Sequence, residues 1–416
     1  MQPLRLTSIT EIQNPWKRKG PEESFSNTKL VHSFQETFDT FIEDNMYMDL
    51  TTKLIALKVS ESVVALKSVT GNEPLFMCSG TIIECVSING AYQSKILTSA
   101  SLLRSPTSPN ELAQDVKVQV YLYDGTSFEA QDFLFDWHYN IALVKIQSKQ
   151  PLPVAVVRQL DDGICVDPSQ QVSNKGEILS SFQLRSHSDY VKLRPGDSVV
   201  ALGRFHEEPY NFMAAPGKFS LDCCNRFNCK ELSKASCKIS KCGIGGPVIN
   251  HRGEVIGMTF YHELYTPFLP TNIASKCLEF RDKHGKFSRP LTGIEATNLH
   301  AAPVDKLEEV MKNFPGIIKG VIVEVVMPES PAASVGILPG DLIIQCAGNN
   351  VQSFLEFFVI ILDKVGQSVE VMVMRKGSTV PLNLTLVVSE VNTDKLHRWP
   401  LPKERWVSYE ETWLDI

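Results

Sequence analysis

Between about residues 50 and 285 the hydrophobic positions fall in short runs instead of helical stripes. Segments 62–67, 76–85, 95–99, 116–122, 141–146, 198–202 and 254–260 are rich in Val, Ile and Leu. Turn signals separate them, among them Asp124-Gly125, Pro195-Gly196-Asp197 and Arg252-Gly253. Many short strands with few helical stretches predict an all-β sandwich or a pair of barrels. From 286 to 390 the texture is mixed, with strands predicted at 320–326, 341–346, 369–375 and 381–388 and helices at 304–314 and 353–364. Ser353-Phe354-Leu355-Glu356 reads as a capping box, in which hydroxyl and carboxylate satisfy free amides at a helix start. Upstream, Leu30, Phe34, Phe38 and Phe41 recur at spacings of three and four and predict a weakly amphipathic helix over 28–44, either packed on the next domain or serving oligomerisation. The resulting division is a partly helical arm (1–49), a β-rich domain (50–285), an α+β domain (286–390) and a tail (391–416). The tail carries Trp399, Trp406 and Trp413 among charges and prolines, and reads equally as a strap on the body or a partner-binding segment.

At 416 residues the chain is too long for one ordinary domain. Its formal charge of −6 lacks the basic footprint of general nucleic-acid binding. No apolar run approaches the roughly 18 residues of a membrane span; the densest, 354–362, is interrupted by Glu356 and reads as a buried helix. Residues 1–20 lack the apolar core of a secretory signal, although Arg5, Lys17, Arg18 and Lys19 outnumber Glu11 and leave an organellar transit peptide open. Ten cysteines without an export signal read as reduced thiols in an intracellular compartment, cytoplasmic or nuclear. Two C-x4-C pairs, Cys224/Cys229 and Cys237/Cys242, lie at the edge of the spacing that structural zinc uses. The preferred reading is ordinary thiols, with no metal and no cofactor.

Three segments carry a resemblance to a known family. Gly243-Ile244-Gly245-Gly246-Pro247-Val248-Ile249, followed by Gly253-Glu254-Val255-Ile256-Gly257-Met258, resembles the nucleophile loop of chymotrypsin-like serine proteases, especially the Do-like (high-temperature-requirement) branch. Ile96-Leu97-Thr98-Ser99-Ala100-Ser101-Leu102-Leu103 resembles the segment that presents the general base, and 135–146 the one that presents the orienting carboxylate. Cys78-Ser79-Gly80-Thr81-Ile82-Ile83 is similar to a first-barrel strand of that family. The resemblance implies that Ser101 stands at the base position, Asn140 at the carboxylate position and Ile244 at the nucleophile position, with Cys242 replacing the first glycine of the oxyanion loop. A triad needs a hydroxyl or thiol to attack, an imidazole to take its proton and a carboxylate to orient that imidazole. At these positions Ile244 has no nucleophilic atom, Ser101 cannot act as a base near neutral pH and Asn140 carries no charge, which leads to the expectation that the chain is not an enzyme. A relocated site would draw on Cys242, two residues before the attacking position, or on His138, which shares a strand face with position 140.

The segment 323–344, with Ser330-Pro331-Ala332-Ala333 and Gly340-Asp341-Leu342-Ile343, resembles the PDZ domain appended to Do-like proteases. The implied architecture is mostly β: a chymotrypsin-like double β-barrel, then an α+β PDZ domain, with a helical N-terminal arm. Such a module binds by β-augmentation. Leu291-Thr292-Gly293-Ile294 occupies the place of the carboxylate-holding turn, and Phe358 and Leu362 are expected to face the groove while Phe357 and Ile361 pack the core. The implied partners are C-terminal or extended peptide segments, and homo- or hetero-oligomers with related proteases. The expected function is therefore a peptide-binding scaffold; the alternative is a Do-like endopeptidase with residual or relocated activity.

Overall fold

Short runs of mostly buried residues build three larger sheets in succession. The computed structural model describes residues 30–31, 48–71, 73–108, 110–162, 190–220, 229, 231–317, 319–378, 380–391, 399 and 401–402. The helix expected over 28–44 lies outside these residues except for Leu30–Val31, which forms a short strand pairing in parallel with Leu401–Pro402.

The first sheet has seven strands, ordered Ser127–Glu129, Val116–Tyr121, Val63–Thr70, Glu73–Ile88, Ala91–Ser99, Ile141–Ser148 and Asp132–Asp136. Its central strands are buried on both faces, which explains their continuous Val, Ile and Leu runs. Before it comes α1 (Leu50–Ser60), whose start is capped by the Asp49 carboxylate accepting from Thr52 N at 2.9 Å. The Arg204 guanidinium, itself buried, donates to Ser60 O at 2.6 Å and Val63 O at 2.7 Å, and so pins the end of α1 to the second barrel. The sequence pattern gave no warning of α1: Leu50 and Leu54 are 71% and 57% exposed, while the small Ala56 and Val59 face the core.

The second sheet is a closed barrel of Ser198–Arg204, Phe212–Ser220, Ser233–Ala235, Thr266–Pro270, Val255–Thr259 and Pro247–Ile249. It leads into α2 (Thr271–His284), which stops at Gly285 in the left-handed region. The Asn272 side chain clasps the backbone of Leu160, accepting from its N–H at 2.7 Å and donating to its C=O at 2.9 Å, and thereby ties α2 to the inter-barrel connector.

Where the barrels meet, the loop 242–246 is held from both sides. Ser79 of the first barrel donates through Oγ to Cys242 O at 2.7 Å and through its N–H to Ile244 O at 2.8 Å. Thr259 of the second donates through Oγ1 to Gly243 O at 2.6 Å and Gly246 O at 3.0 Å. A Cβ at Gly245, where φ is +79°, would lie 2.5 Å from Ser79 O, and one at Gly246 would lie 2.1 Å from Leu202 O. Only glycine fits either position.

The third sheet runs Ile294–Asn298, Val321–Val326, Leu342–Cys346, Ser368–Met374 and Leu382–Val387, with three helices, α3 (Val304–Asn313), α4 (Pro331–Ser334) and α5 (Phe354–Leu362). Asp341, almost fully buried, is gripped by Arg375 through two contacts of 2.8 and 2.6 Å. Helix α5 faces two ways. Phe357 and Ile361 enter the core of this domain, whereas Leu355, Phe358 and Leu362 join the cluster of the second barrel with Ile273, Ala274 and Cys277 of α2. Lys276 pairs with Asp363 at 3.1 Å across the same contact. Asp162, on the inter-barrel connector, accepts at 2.5 Å from Ser353, the residue that caps α5.

Two outcomes follow from this packing. Gly245→Ala forces a side chain into left-handed backbone, at about 1–2 kcal/mol, and against the Ser79 carbonyl as well; the thermal midpoint of the barrels is expected to fall by several degrees, and an unchanged midpoint would refute the account. Burial pushes the Asp162 carboxyl up from 3.8 to about 7, Ser353 opposing and the charges of Glu356 and Asp161 reinforcing the rise. The neutral acid is the form favoured in the docked state. Its contribution is fully present below pH 3.8 and is lost as pH rises through about 7, with a slope of at most about 1.4 kcal/mol per pH unit. Asp162→Asn should therefore gain stability relative to the parent chain across this window; parallel pH profiles for the two proteins would contradict it.

Candidate active site and peptide groove

Ser101 sits in a 3-10 turn (Ala100–Leu102) at the end of the strand Ala91–Ser99, with its N–H donating to Ser99 Oγ at 3.2 Å. Asn140 ends the turn before the strand Ile141–Ser148 and has φ of +55°, a conformation that asparagine tolerates better than most residues. The Asp136 carboxylate shapes that turn by accepting from His138 N at 3.1 Å and Tyr139 N at 3.0 Å. Asn140 Nδ2 then donates to Ser101 Oγ at 2.9 Å, and Arg104 donates to Asn140 Oδ1 at 3.4 Å and to the Trp137 carbonyl at 3.3 Å. The Arg104 guanidinium also lies 4.9 Å from the centre of the Trp137 ring. Burial lowers this guanidinium to about 10, with the Asp136 charge opposing. Burial also raises Asp136 itself, against the amides of Tyr139 and His138 and the charges of Arg289 and Arg104.

Ile244 is buried with Ala100, Leu102, Leu103 and Ala142 in the first barrel's core cluster. Its side chain thus acts as an apolar plug beside the Ser101–Asn140 pair. Its N–H donates to Lys241 O at 3.1 Å and that of Gly243 to Ser240 O at 2.9 Å, so both amides are engaged within the turn. An oxyanion site would need such amides directed at the reacting oxygen. Cys242 is buried with its Sγ 2.9 Å from Ser240 Oγ. His138 is buried as well, and its Nδ1 accepts from Arg289 Nη1 at 3.0 Å, which leaves Nε2 as the protonated nitrogen. Arg104 was missed by sequence reasoning, although it is the lone charge closing the apolar run 96–104. Arg289, 151 residues from His138, carried no local signal.

Of the cysteines considered for zinc, Cys224 lies outside the described residues. Cys237 is buried in the second barrel, its thiol pushed up to about 12 by burial, and Cys229 donates to Glu231 at 3.2 Å. Among the described residues no three metal-type side chains converge.

In the third domain, the turn Leu291-Thr292-Gly293-Ile294 stands at the head of the strand Ile294–Asn298, which pairs antiparallel with Val321–Val326 at one end of the sheet order. Gly293 has φ of +76°, and a Cβ there would lie 2.1 Å from Ser330 Cβ. Thr292 O accepts from Ala332 N at 3.0 Å, Gly293 O accepts from Met327 N at 2.8 Å, and Thr292 Oγ1 accepts from Ile294 N at 3.3 Å. Helix α5 flanks this strand, with Phe354 N donating to Asn298 Oδ1 at 2.5 Å. Phe358 and Leu362 do not stand in an open groove: both pack against α2, because α5 has only one other apolar face and Phe357 and Ile361 occupy it.

Comparison with known proteins agrees with this organisation. Residues 78–258 match a trypsin-like peptidase domain and residues 290–386 a PDZ domain. The putative protease Do-like 14 of Arabidopsis thaliana is 30% identical over 290 residues, covering 67% of this chain and 58% of that protein. The serine protease Do-like HtrB of Bacillus subtilis is 28% identical over 220 residues, 49% of this chain and 48% of its own length. The chain thus spans about half to three fifths of the curated relatives it matches. The solved structure of the HtrA-type protease AlgW with a tripeptide shares the fold at a TM-score of 0.50 and 20% identity, covering 82% of this chain and 97% of that one. No helix among the described residues is long and apolar enough to cross a membrane. The expectation that the chain is not an enzyme, drawn from Ser101, Asn140 and Ile244, is overturned by these matches, since the relatives are named proteases and the family points to an enzyme. The chain belongs to the Do-like serine proteases, a trypsin-like double barrel followed by a PDZ domain.

Proposed function

We propose that this Do-like protein handles extended or C-terminal peptide segments through its PDZ domain. The observation that supports the reading best is the match of residues 290–386 to a PDZ domain, in which a turn that only Gly293 can close heads the strand Ile294–Asn298 at the edge of the sheet order. A ligand strand adds to that edge by backbone hydrogen bonds, its carboxylate meets the amides of the turn 291–294, and its terminal side chain seeks the α5 face that bears Phe358 and Leu362. Because α2 covers that face, ligand binding and docking of α5 compete. Fluorescence anisotropy of the full chain with a C-terminal peptide library should identify hydrophobic C-termini as ligands. Gly293→Ala should weaken them about tenfold or more while leaving the barrel's thermal midpoint in place. A library with no binder, or equal binding by the variant, would remove the reading.

A second reading, favoured by the relatives' names, is proteolysis. Ser101, Asn140 and Ile244 supply neither base, carboxylate nor nucleophile, so hydrolysis has to begin at another group. Cys242, with its sulfur 2.9 Å from Ser240 Oγ and two residues before Ile244, is the candidate. Turnover of unfolded casein, blocked by an iodoacetamide probe and abolished in Cys242→Ala, is the expected result on this reading. Turnover indifferent to that substitution, or no turnover above the variant's background, would exclude Cys242 as the nucleophile.

A further inference from the structure

Trp399 lies outside both matched domains, yet it is only 2% exposed. Its indole packs on Phe260, ring centres 4.4 Å apart, and its Nε1–H donates to the His138 carbonyl at 2.8 Å. These two supports come from opposite sides of the barrel junction. Phe260 directly follows the strand Val255–Thr259 that holds the loop at Ile244, and His138 lies in the turn that presents Asn140. Two residues on, the strand Leu401–Pro402 runs beside the 3-10 turn Ala100–Leu102 that carries Ser101, and it pairs in parallel with Leu30–Val31. Trp399 and Leu401–Pro402 therefore lie against the elements that carry positions 101 and 140 and that hold the loop at 244.

The chemistry of this contact is that of recognition. One large aromatic anchor enters a desolvated pocket, and one directional hydrogen bond runs from its polar end to a backbone carbonyl. Among the described residues, the adjoining backbone pairing joins Leu30–Val31 to Leu401–Pro402 and includes a proline, which cannot donate to a ladder. A contact centred on one aromatic anchor is one that a second segment of the same chemistry can take over.

We propose that the barrel-junction crevice is a binding site for an extended, proline-containing segment bearing a tryptophan, and that this chain fills the site in cis with Trp399 and Leu401–Pro402. The indole seats between Phe260 and the His138 carbonyl, and a segment of the same chemistry from another protein exchanges with the tail.

The test is binding in trans to the full chain. The probe is a fluorescein-labelled peptide of residues 396–404 of this sequence, amidated at its C-terminus so that a carboxylate-binding turn has nothing to hold. Trp399→Ala empties the pocket and should bind the probe about tenfold or more tightly than the parent chain, while the same peptide with alanine at the tryptophan binds neither protein. Equal affinity of variant and parent, or equal binding of the alanine peptide, would overturn the proposal. Circular dichroism establishes that the variant is folded. If it is not, Trp399→Phe, which keeps a ring but loses the donor to His138, takes its place. A severalfold gain is then expected, and no gain overturns the proposal in the same way.

Discussion

A stretch of backbone cannot be buried between two barrels unless its carbonyls and amides find partners, and the loop 242–246 draws its partners from its own turn and from two residues outside it. Ser79 reaches it from the first barrel and Thr259 from the second. Each lost partner would leave a buried polar group unsatisfied, at about 1–3 kcal/mol. The glycines at 245 and 246 are the steric counterpart of the same constraint, since the loop lies so close to Ser79 and Leu202 that no Cβ fits. This clasp brings Ile244, Ser101 and Asn140 into one region, whatever their side chains do there. A loop with this geometry outlasts changes in its chemical content.

The polar lining that remains is a chain of mutually satisfied groups. Asn140 bonds Ser101 and Arg104, Arg104 reaches Trp137, and Asp136 holds the turn from below. With Ile244 set into the first barrel's core, the junction is a packing interface. Trp399 of the tail donates to the His138 carbonyl there, and Arg289, at the entry to the PDZ domain, bonds the His138 ring. Tail, linker and barrel junction thus meet at a single histidine.

Much of the architecture was legible in the sequence because it rests on local rules. Runs of β-branched residues between Gly and Pro turns gave most of the strands, and Ser353 with Glu356 gave the start of α5. Ordered landmarks gave the barrel pair and the PDZ domain. What escaped was tertiary. Helix α1 shows its leucines to solvent and buries Ala56 and Val59, and α2 buries Thr271 and Asn272 alongside Ile273, so neither carries the apolar stripe by which helices are recognised. Phe358 and Leu362 were assigned to a groove because a sequence shows how many apolar faces a helix has but not which neighbour meets them. Trp399 was ambiguous for the same reason: an aromatic residue among charges and prolines reads alike whether it is free or docked. The names of the relatives corrected the inference from three side chains to the absence of enzymatic function, an inference that runs further than residue identity alone can carry.

Helix α5 has almost no apolar surface left uncommitted, one flank belonging to its own domain and the other to α2. On the proposed reading of the groove, ligand selectivity and interdomain cohesion are therefore written in the same few side chains and cannot drift independently. By mass action, the affinity felt by an incoming segment is its intrinsic affinity scaled by the fraction of molecules in which the two domains have parted. A substitution at Phe358 or Leu362 moves both factors together, so an excised PDZ domain and the intact chain will rank the same ligands on different scales.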